Sequence, residues 1–594
     1  MGFEYALVHV KYTIPPAILL TLLYRPLFAR LDAYKIGFLI TIAVISTIPW
    51  DSYLIRNRIW SYPAHVIIGL KLFDIPVEEI FFFVIQTYNT SLLYLICSRP
   101  TFQPVYLRFE RSAAHPLGSV NPQWRYYKLC GQLAFAIIIK LGLGMVGGGG
   151  ESTYLGLIII WAVPFLLLLW SLAYQFLLGL PILNTAIPIL LPTLYLWVID
   201  TLALKRGTWV ISDGTKYGFH LWDGLEIEEA LFFFATNSLI VFGQVAFDNA
   251  LSILYTFPHL FPNPPVLPSP TLLVRALLKP ASEYDEHRIM GLHDAVHRLR
   301  IKSRSFYLAS STFQGQVRTD LLLLYSFCRV ADDLVDCAYS EAEAASWVTR
   351  LRDFLKASYR DENSLGSMKD YVLLNFPPNA QSALLQVPFP KLSRQLLEEL
   401  LDGFDMDLSF ANPVFAHPIK IEADLQMYAR RVAGTVAQMC LELIFFNYRS
   451  TLSVEEQRHV LDAGNRMGIA LQHVNIARDI SVDAKMARVY IPETWIKDEG
   501  LTYNSVLKNP QGARVERLRA RLLDRAFEMY EGARNAIEDL PVEARGPIRV
   551  AVESYMEIGR VLRQDGYVVK AGRATVPKLR RVKVAWRALN GTAA

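Results

Sequence analysis

Two short acidic segments carry residue types whose spacing suits metal and phosphate chemistry. Arg329-Val330-Ala331-Asp332-Asp333-Leu334-Val335-Asp336 and Asn475-Ile476-Ala477-Arg478-Asp479-Ile480-Ser481-Val482-Asp483 both read R followed by D-x-x-x-D, about 145 residues apart. Spacing of four puts Asp332 with Asp336, and Asp479 with Asp483, on one face of a helix. Hard oxygens paired in this way suit magnesium, which takes few protein ligands and completes its octahedron with water and phosphate oxygens. Arg329 and Arg478 add forked donors that match a diphosphate and would stabilise it as a leaving group. One D-x-x-x-D is usually a solvated helix face. Two copies embedded in apolar sequence point instead to facing helices that clamp a metal cluster.

A second acidic set is duplicated in the first half of the chain. Asp51, Trp60 and the run Pro76-Val77-Glu78-Glu79-Ile80-Phe81-Phe82-Phe83 recur as Asp200, Trp209 and Glu226-Ile227-Glu228-Glu229-Ala230-Leu231-Phe232-Phe233-Phe234, at an offset of about 150 residues. Each copy sets an aspartate at the end of one apolar stretch and a glutamate pair at the start of the next, so both flank one loop. Acids at helix N-termini complement the dipole and aromatics line bilayer boundaries, which is the structural explanation. The duplication favours a chemical one: adjacent carboxyls beside an apolar helix can retain a proton, and such an acid can protonate an alkene.

Elements must hold these groups in place, and the chain divides in composition. Its 594 residues exceed one ordinary domain, and the 52% apolar content is concentrated in roughly the first 250 positions. Apolar stretches near residues 13–29, 36–50, 79–97, 131–148, 154–179, 183–204 and 229–249 predict about seven membrane spans. If the fourth crosses, the two repeats run parallel with all their carboxylates at one membrane face; if it does not, they are inverted. Basic residues, including the juxtamembrane Arg275 and Lys279, favour a cytosolic C-terminus. Pro258, Pro262, Pro264, Pro265, Pro268 and Pro270 predict a semi-rigid tether over residues 253–284. From about residue 285 the pattern becomes long amphipathic helices with no alternating strand series, so residues 285–594 are expected to form an all-α soluble domain after the membrane domain at 1–252. Phe376 to Pro390 reads as a long loop.

The formal charge of +5 comes without a basic block, which argues against a nucleic-acid partner and leaves weak attraction to an anionic membrane surface. Cys97, Cys130, Cys328, Cys337 and Cys440 lack C-x-x-C spacing, so neither a zinc site nor a disulfide framework is expected, only reduced, buried thiols. Lys11 interrupts the first apolar run, and no cleavable leader is expected.

The second half resembles the phytoene/squalene synthase family. The resemblance rests on Ser303-Arg304-Ser305-Phe306-Tyr307, Tyr325-Ser326-Phe327-Cys328-Arg329, Tyr428 with Val432-Ala433-Gly434-Thr435-Val436, and Arg488-Val489-Tyr490-Ile491-Pro492. It implies an isoprenoid-synthase bundle that joins two geranylgeranyl diphosphates head to head. In it Asp332, Asp336, Asp479 and Asp483 bind magnesium, or manganese in its place, with Asn475 assisting. The family also implies that Arg329, Arg478, Ser303 and Arg304 meet diphosphate, that Gly434 lets helices approach beside the prenyl chains, and that Tyr428 is either core or a wall facing the cation. Lys485-Met486-Ala487-Arg488 departs from the glycine and basic residues that many relatives carry there, which puts the flap over the diphosphates in doubt.

The repeated half resembles membrane lycopene cyclases built from paired small subunits, although Glu226 replaces the motif proline in its second copy. That implies proton-initiated cyclisation of lycopene-type ends to β rings by Asp51, Glu78, Glu79, Asp200, Glu228 and Glu229. The whole chain resembles the fungal bifunctional lycopene cyclase/phytoene synthases. The resemblance implies no NADPH, a lipid bilayer and other carotenoid enzymes as surroundings, and a multi-pass protein with a cytosolic synthase domain. Two other readings stay open: a squalene or dehydrosqualene synthase with a polytopic anchor, and a non-catalytic prenyl-diphosphate-binding membrane scaffold.

Overall fold

The computed structural model describes residues 2–108, 123–359, 365–411, 417–448, 450, 452–564, 567 and 575–591. It divides into two compact units, Met1–Ile289 and Met290–Ala594. Among the described residues both are all-α, apart from six strands of two or three residues in the first.

Seven helices of the first unit are long and apolar enough to cross a bilayer: α1 Glu4–Leu27, α2 Arg30–Arg56, α3 Val77–Ser98, α4 Trp124–Gly148, α5 Gly150–Gly179, α6 Ile182–Lys205 and α7 Ile227–Thr256. The short second stretch thus becomes a 27-residue helix. The fourth stretch is helical throughout, and glycines explain how it packs. A Cβ on Gly156 of α5 would lie 3.0 Å from the Gly142 carbonyl of α4, so the two backbones approach as small residues allow in membranes. On its other side α4 leaves Leu129, Leu133, Ile137, Leu141 and Leu143 between 50% and 64% exposed, a face suited to hydrocarbon rather than water.

Helices α1–α3 and α5–α7 are the two repeats, and α4 joins them. Strand β1 (Trp60–Ser61) pairs antiparallel with β4 (Val210–Ile211), which sets Ser61 opposite Val210, its own counterpart. Deeper along the helices, Gln86 Nε2 donates to Thr236 Oγ1, again its counterpart, at 2.8 Å. Equivalent positions touch only on a two-fold axis. Because these contacts lie at two depths, the axis runs along the helices and the repeats are parallel.

A hairpin precedes each glutamate pair: β2 (Lys71–Leu72) with β3 (Ile75–Pro76), and β5 (His220–Trp222) with β6 (Leu225–Glu226). The first turns through Phe73 and Asp74 at φ 53° and 71°, the second through Gly224 at φ 88°. Each delivers the chain into the first turn of α3 or α7. One buried ion pair is asymmetric: Lys35 Nζ meets Asp248 Oδ1 at 2.5 Å, and Tyr94 and Gln103 donate to Asp248 Oδ2 at 2.7 and 2.6 Å. It pins α2 to α7 with its acceptor fully used, the condition for burying such a pair.

The proline-rich segment is only partly extended. Helix α8 (Pro270–Leu277), capped by Ser269, buries Leu273 and Ala276 in the core that holds Phe257 and Phe261. Proline at a first helical turn loses no hydrogen bond, so Pro270 starts a helix, whereas Pro258 to Pro268 lie in non-helical backbone as expected of a tether. The five cysteines are free, but Cys130 and Cys337 are exposed rather than buried.

In the second unit α9 (Gly315–Asp336), α10 (Arg394–Leu408), α11 (Thr435–Asn447), α12 (Val454–Asp483), α13 (Ala513–Ala533), α14 (Val542–Leu562) and α15 (Lys578–Leu589) are the longer elements around the site. The expected loop at Phe376 to Pro390 contains an eight-residue helix, Pro378–Leu385, that buries Ala380, Ala383 and Leu384. Helix α12 opens with a capping box between Ser453 and Glu456 and continues for 30 residues.

Helix α12 crosses the π-turn Arg430–Gly434 at glycines. A Cβ on Gly468 would lie 2.5 Å from the Ala433 carbonyl oxygen, whereas one on Gly532 of α13 meets nothing within 4 Å. Gly468→Ala should therefore destabilise the second unit by about 1–3 kcal/mol. Gly532→Ala should stabilise it by about 0.5–1 kcal/mol. Thermal unfolding of the detergent-solubilised chain measures both, and a neutral Gly468→Ala would contradict the close crossing.

Candidate functional site

Helices α9 and α12 end in the two acidic motifs, and their last turns face one cavity of about 1050 Å³. Asp332, Asp336, Asp479, Asp483, Arg329, Arg478, Ser303, Arg304, Asn475 and Tyr428 all line it, so the candidate residues from distant segments are brought together. Gly434 does not line it: its neighbours Val432, Ala433, Val436 and Ala437 do, and a Cβ on Gly434 would lie 2.7 Å from Asn465 Nδ2. That glycine serves helix packing. Along α12 the lining continues through Leu471, Met467, Gly464 and Val460. At 1.5 Å per residue this carries apolar wall roughly 28 Å from Asp479.

The acids at the polar end are crowded and partly neutralised by guanidinium groups. Arg329 contacts Asp332 at 2.9 Å and Asp333 at 2.5 Å, Arg478 forks onto Asp479 at 2.8 and 2.5 Å, and Arg488 reaches Asp336 at 2.7 Å. Burial, reinforced by Asp336, still pushes the Asp332 carboxyl up to about 7, and burial with Asp479 pushes Asp483 up to about 8. Asp332, Asp333, Asp336, Asp479 and Asp483 outnumber the cations that contact them, Arg329, Arg478, Arg488 and Lys302. Among the described residues no three His, Cys, Asp or Glu side chains converge tightly enough to hold a metal ion alone. The donor set fits a cation that takes one carboxylate pair and draws its other ligands from water or phosphate. Asn475 fits less well as a ligand, because its Oδ1 accepts from Tyr555 and its Nδ2 donates to Gln472.

Asp407 on α10 was not legible in the sequence. It is buried, accepts from Tyr490 at 2.7 Å and Tyr428 at 3.3 Å, and is pushed up to about 6 by burial. No local spacing marks it. Tyr428 stacks on Tyr490 with ring centroids 4.8 Å apart and also faces the cavity, so it belongs to both core and wall.

In the first unit the two-fold gathers the other acidic set. Glu79 Oε2 accepts from Tyr5 OH, and from Tyr62 OH at 2.6 Å. Glu229 Oε1 accepts from Tyr154 OH at 2.5 Å, and its Oε2 has no hydrogen-bond partner among the described residues. Glu78 and Glu228 are used differently: each accepts a loop N–H, from Ile68 at 2.7 Å and Tyr217 at 2.8 Å, which ties the hairpin to the helix start. Asp200 accepts from Trp209 Nε1 at 3.1 Å, while Asp51 Oδ2 and Trp60 Nε1 lack partners among the described residues. The copies interlock through aromatic rings: Tyr5 packs on Trp209 at 5.2 Å and Trp60 on Tyr154 at 5.9 Å. Tyr5 and Tyr154 were missed by the sequence reading, yet they share the repeat offset. Extending the repeat back into α1 and α5 finds them.

Residues 299–580 match the squalene/phytoene synthase family model. A bifunctional lycopene cyclase/phytoene synthase of Pyrenophora tritici-repentis is 64% identical over 591 residues, covering 99% of this chain and 100% of that protein. One of Phaeosphaeria nodorum is also 64% identical, covering 99% of each. A solved dehydrosqualene synthase is 22% identical with a TM-score of 0.39, covering 52% of this chain and 97% of its own.

The unequal donor counts make a stability prediction. Tyr154→Phe leaves buried Glu229 without its phenolic donor and should cost about 1–3 kcal/mol. Tyr5→Phe leaves Tyr62 on Glu79 and should cost less. Thermal unfolding in detergent compares the two, and the reverse order would contradict the hydrogen-bond assignment.

Proposed function

The chain belongs to the bifunctional lycopene cyclase/phytoene synthase family, and from that premise we propose how its residues divide the two activities between the two units. It is a carotenoid-biosynthesis enzyme, a prenyltransferase that forms phytoene and a cyclase of lycopene. The squalene or dehydrosqualene synthase and scaffold readings are less well supported, because relatives matched along their whole length carry both activities in their names.

We assign phytoene formation to residues 285–594, with two geranylgeranyl diphosphates as substrate. The carrying observation is the single cavity that joins both D-x-x-x-D motifs to a long apolar wall. Magnesium, or manganese, held by Asp332 and Asp336 on one side and Asp479 and Asp483 on the other, would supply positive charge to the leaving diphosphate. Arg329, Arg478 and Arg488 each now contact an aspartate, and each can turn its fork to diphosphate oxygens. Ser303 and Arg304 border the same end. Ionisation of one substrate lets its C1 join the second molecule, with loss of a proton, to give a cyclopropylcarbinyl diphosphate. A second ionisation, rearrangement and proton loss give phytoene, so two diphosphates and two protons leave and no NADPH is consumed. Tyr428 presents its ring to the cations along this path.

We assign cyclisation to residues 1–252, acting on lycopene-type ends to give β rings. Two phenolic O–H donors on one oxygen favour ionised Glu79, whereas Glu229, with one donor and a free oxygen, suits a carboxylic acid. Glu229 therefore donates a proton to C2 of the terminal alkene. The C1 cation is attacked by the C5=C6 double bond, the C1–C6 bond forms, and the C6 proton passes to Glu79. Asp51 and Asp200 stand beside the glutamates, and the Trp60 and Trp209 rings wall the cation. Glu78 and Glu228 position the loops. The proton then returns from Glu79 to Glu229, so no net redox occurs. The seven apolar helices support a multi-pass protein in a lipid bilayer. The balance of basic residues favours a synthase unit in the cytosol, where we place it beside other carotenoid enzymes.

Two outcomes follow. Asp332→Asn or Asp479→Asn should abolish phytoene formation from geranylgeranyl diphosphate while cyclisation of supplied lycopene continues; normal synthase turnover would contradict the metal assignment. Glu229→Gln should slow cyclisation by about 10²–10⁴-fold with no deuterium entering recovered lycopene in D₂O. Glu79→Gln should slow product formation yet allow deuterium into recovered lycopene, because protonation still occurs. Exchange in the first variant and not in the second would reverse the acid and base assignments.

A further inference from the structure

Helix α15 (Lys578–Leu589, KLRRVKVAWRAL) contains five Lys or Arg residues and no acidic one. Its inner side, through Ala585 and Ala588, packs on Ala309 and Val550. Arg580 is held by Glu557 at 2.5 Å, which fixes the helix's rotation. Its outer side presents Leu579, Val582 and Trp586, 85%, 50% and 37% exposed. Their spacing of three and four residues makes one helical stripe. Lys578, Lys583 and Arg587 are exposed on the same side. The squalene/phytoene synthase match stops at residue 580, so most of this helix lies beyond it.

We propose that this face docks on an anionic lipid bilayer, with Leu579, Val582 and Trp586 entering the headgroup boundary and the basic side chains meeting lipid phosphates. An in-plane membrane helix has this composition, an apolar stripe with an aromatic residue bordered by Lys and Arg. A basic helix that binds nucleic acid gains nothing from exposing leucine and valine. The chain itself brings a bilayer, because seven of its helices are long and apolar enough to cross one. The inner side adds a purpose that rests on the synthase reading: Arg581, with the adjoining Thr575 and Val576, lines the cavity. A membrane held against this helix would receive an apolar C40 product without a passage through water.

The test uses the full-length protein reconstituted into vesicles of phosphatidylcholine, alone or with phosphatidylserine. The five native cysteines are replaced, a spin label is attached through Val582→Cys or Leu579→Cys, and phytoene formation in detergent confirms the fold. Accessibility to lipid-soluble oxygen is compared with accessibility to a water-soluble nickel chelate, with Glu528→Cys on α13 as an exposed reference. Docking predicts that in anionic vesicles the α15 labels gain oxygen access and lose nickel access, that the reference does not, and that Lys578→Glu with Lys583→Glu restores nickel access. Labels open to nickel in anionic vesicles would overturn the proposal. Labels shielded from both probes would overturn it in favour of a protein partner or a second copy. Because synthase turnover is read separately in detergent, loss of docking with turnover intact leaves the synthase assignment standing.

Discussion

A buried carboxylate must find a cation, hydrogen-bond donors or a proton, because desolvation of the bare charge costs several kcal/mol. Both units gather more carboxylates at their sites than the basic residues there can match, and the architecture around each site follows from how that surplus is carried. In the second unit three arginines lean onto three different aspartates, yet Asp332 and Asp483 are still pushed far above the ordinary carboxylate range. A site left short of positive charge in this way suits the divalent cation proposed for it.

The first unit carries its surplus with phenols. Tyr5, Tyr62 and Tyr154 supply the donors to Glu79 and Glu229, while the loop N–H groups of Ile68 and Tyr217 occupy Glu78 and Glu228. This arrangement needs the two repeats to be parallel, since only then do their loops meet at Ser61 and Val210 and their aromatic rings interlock. Duplication provides two similar acids, and the extra tyrosine at position 62 makes them unequal. Residue 211, which pairs with Trp60 across the axis, is isoleucine and offers no such donor. On the proposed assignment, this departure from symmetry lets one acid give a proton and the other receive it.

Much of this was legible because it is periodic. Spacing of four fixes which aspartates share a helix face, an offset of about 150 residues exposes the repeat, and hydropathy marks the spans. What was not legible depends on partners distant in sequence. Asp407 has no spacing signature and gains meaning only when Tyr428 and Tyr490 close on it. Asn475 reads as an assisting ligand, and only the fold shows that Tyr555 also donates to its oxygen. Gly434 reads as a point where helices approach beside the prenyl chains, and only the fold shows that its close neighbour is Asn465. Pro270 reads as part of a tether, because proline's effect depends on whether it sits inside a helix or at its first turn.

The parallel two-fold of the first unit is the claim on which the cyclase account stands, and a cross-link tests it directly. Ser61 and Val210 are directly opposed antiparallel neighbours, and such neighbours have Cα atoms roughly 4.5–5.5 Å apart, within the range a disulfide spans. In a chain whose native cysteines are replaced, Ser61→Cys with Val210→Cys should form an intramolecular disulfide on mild oxidation in membranes, with lycopene cyclisation retained. If both thiols are labelled from opposite sides of the membrane and no such cross-link forms, the repeats are inverted and the shared acid cluster does not exist.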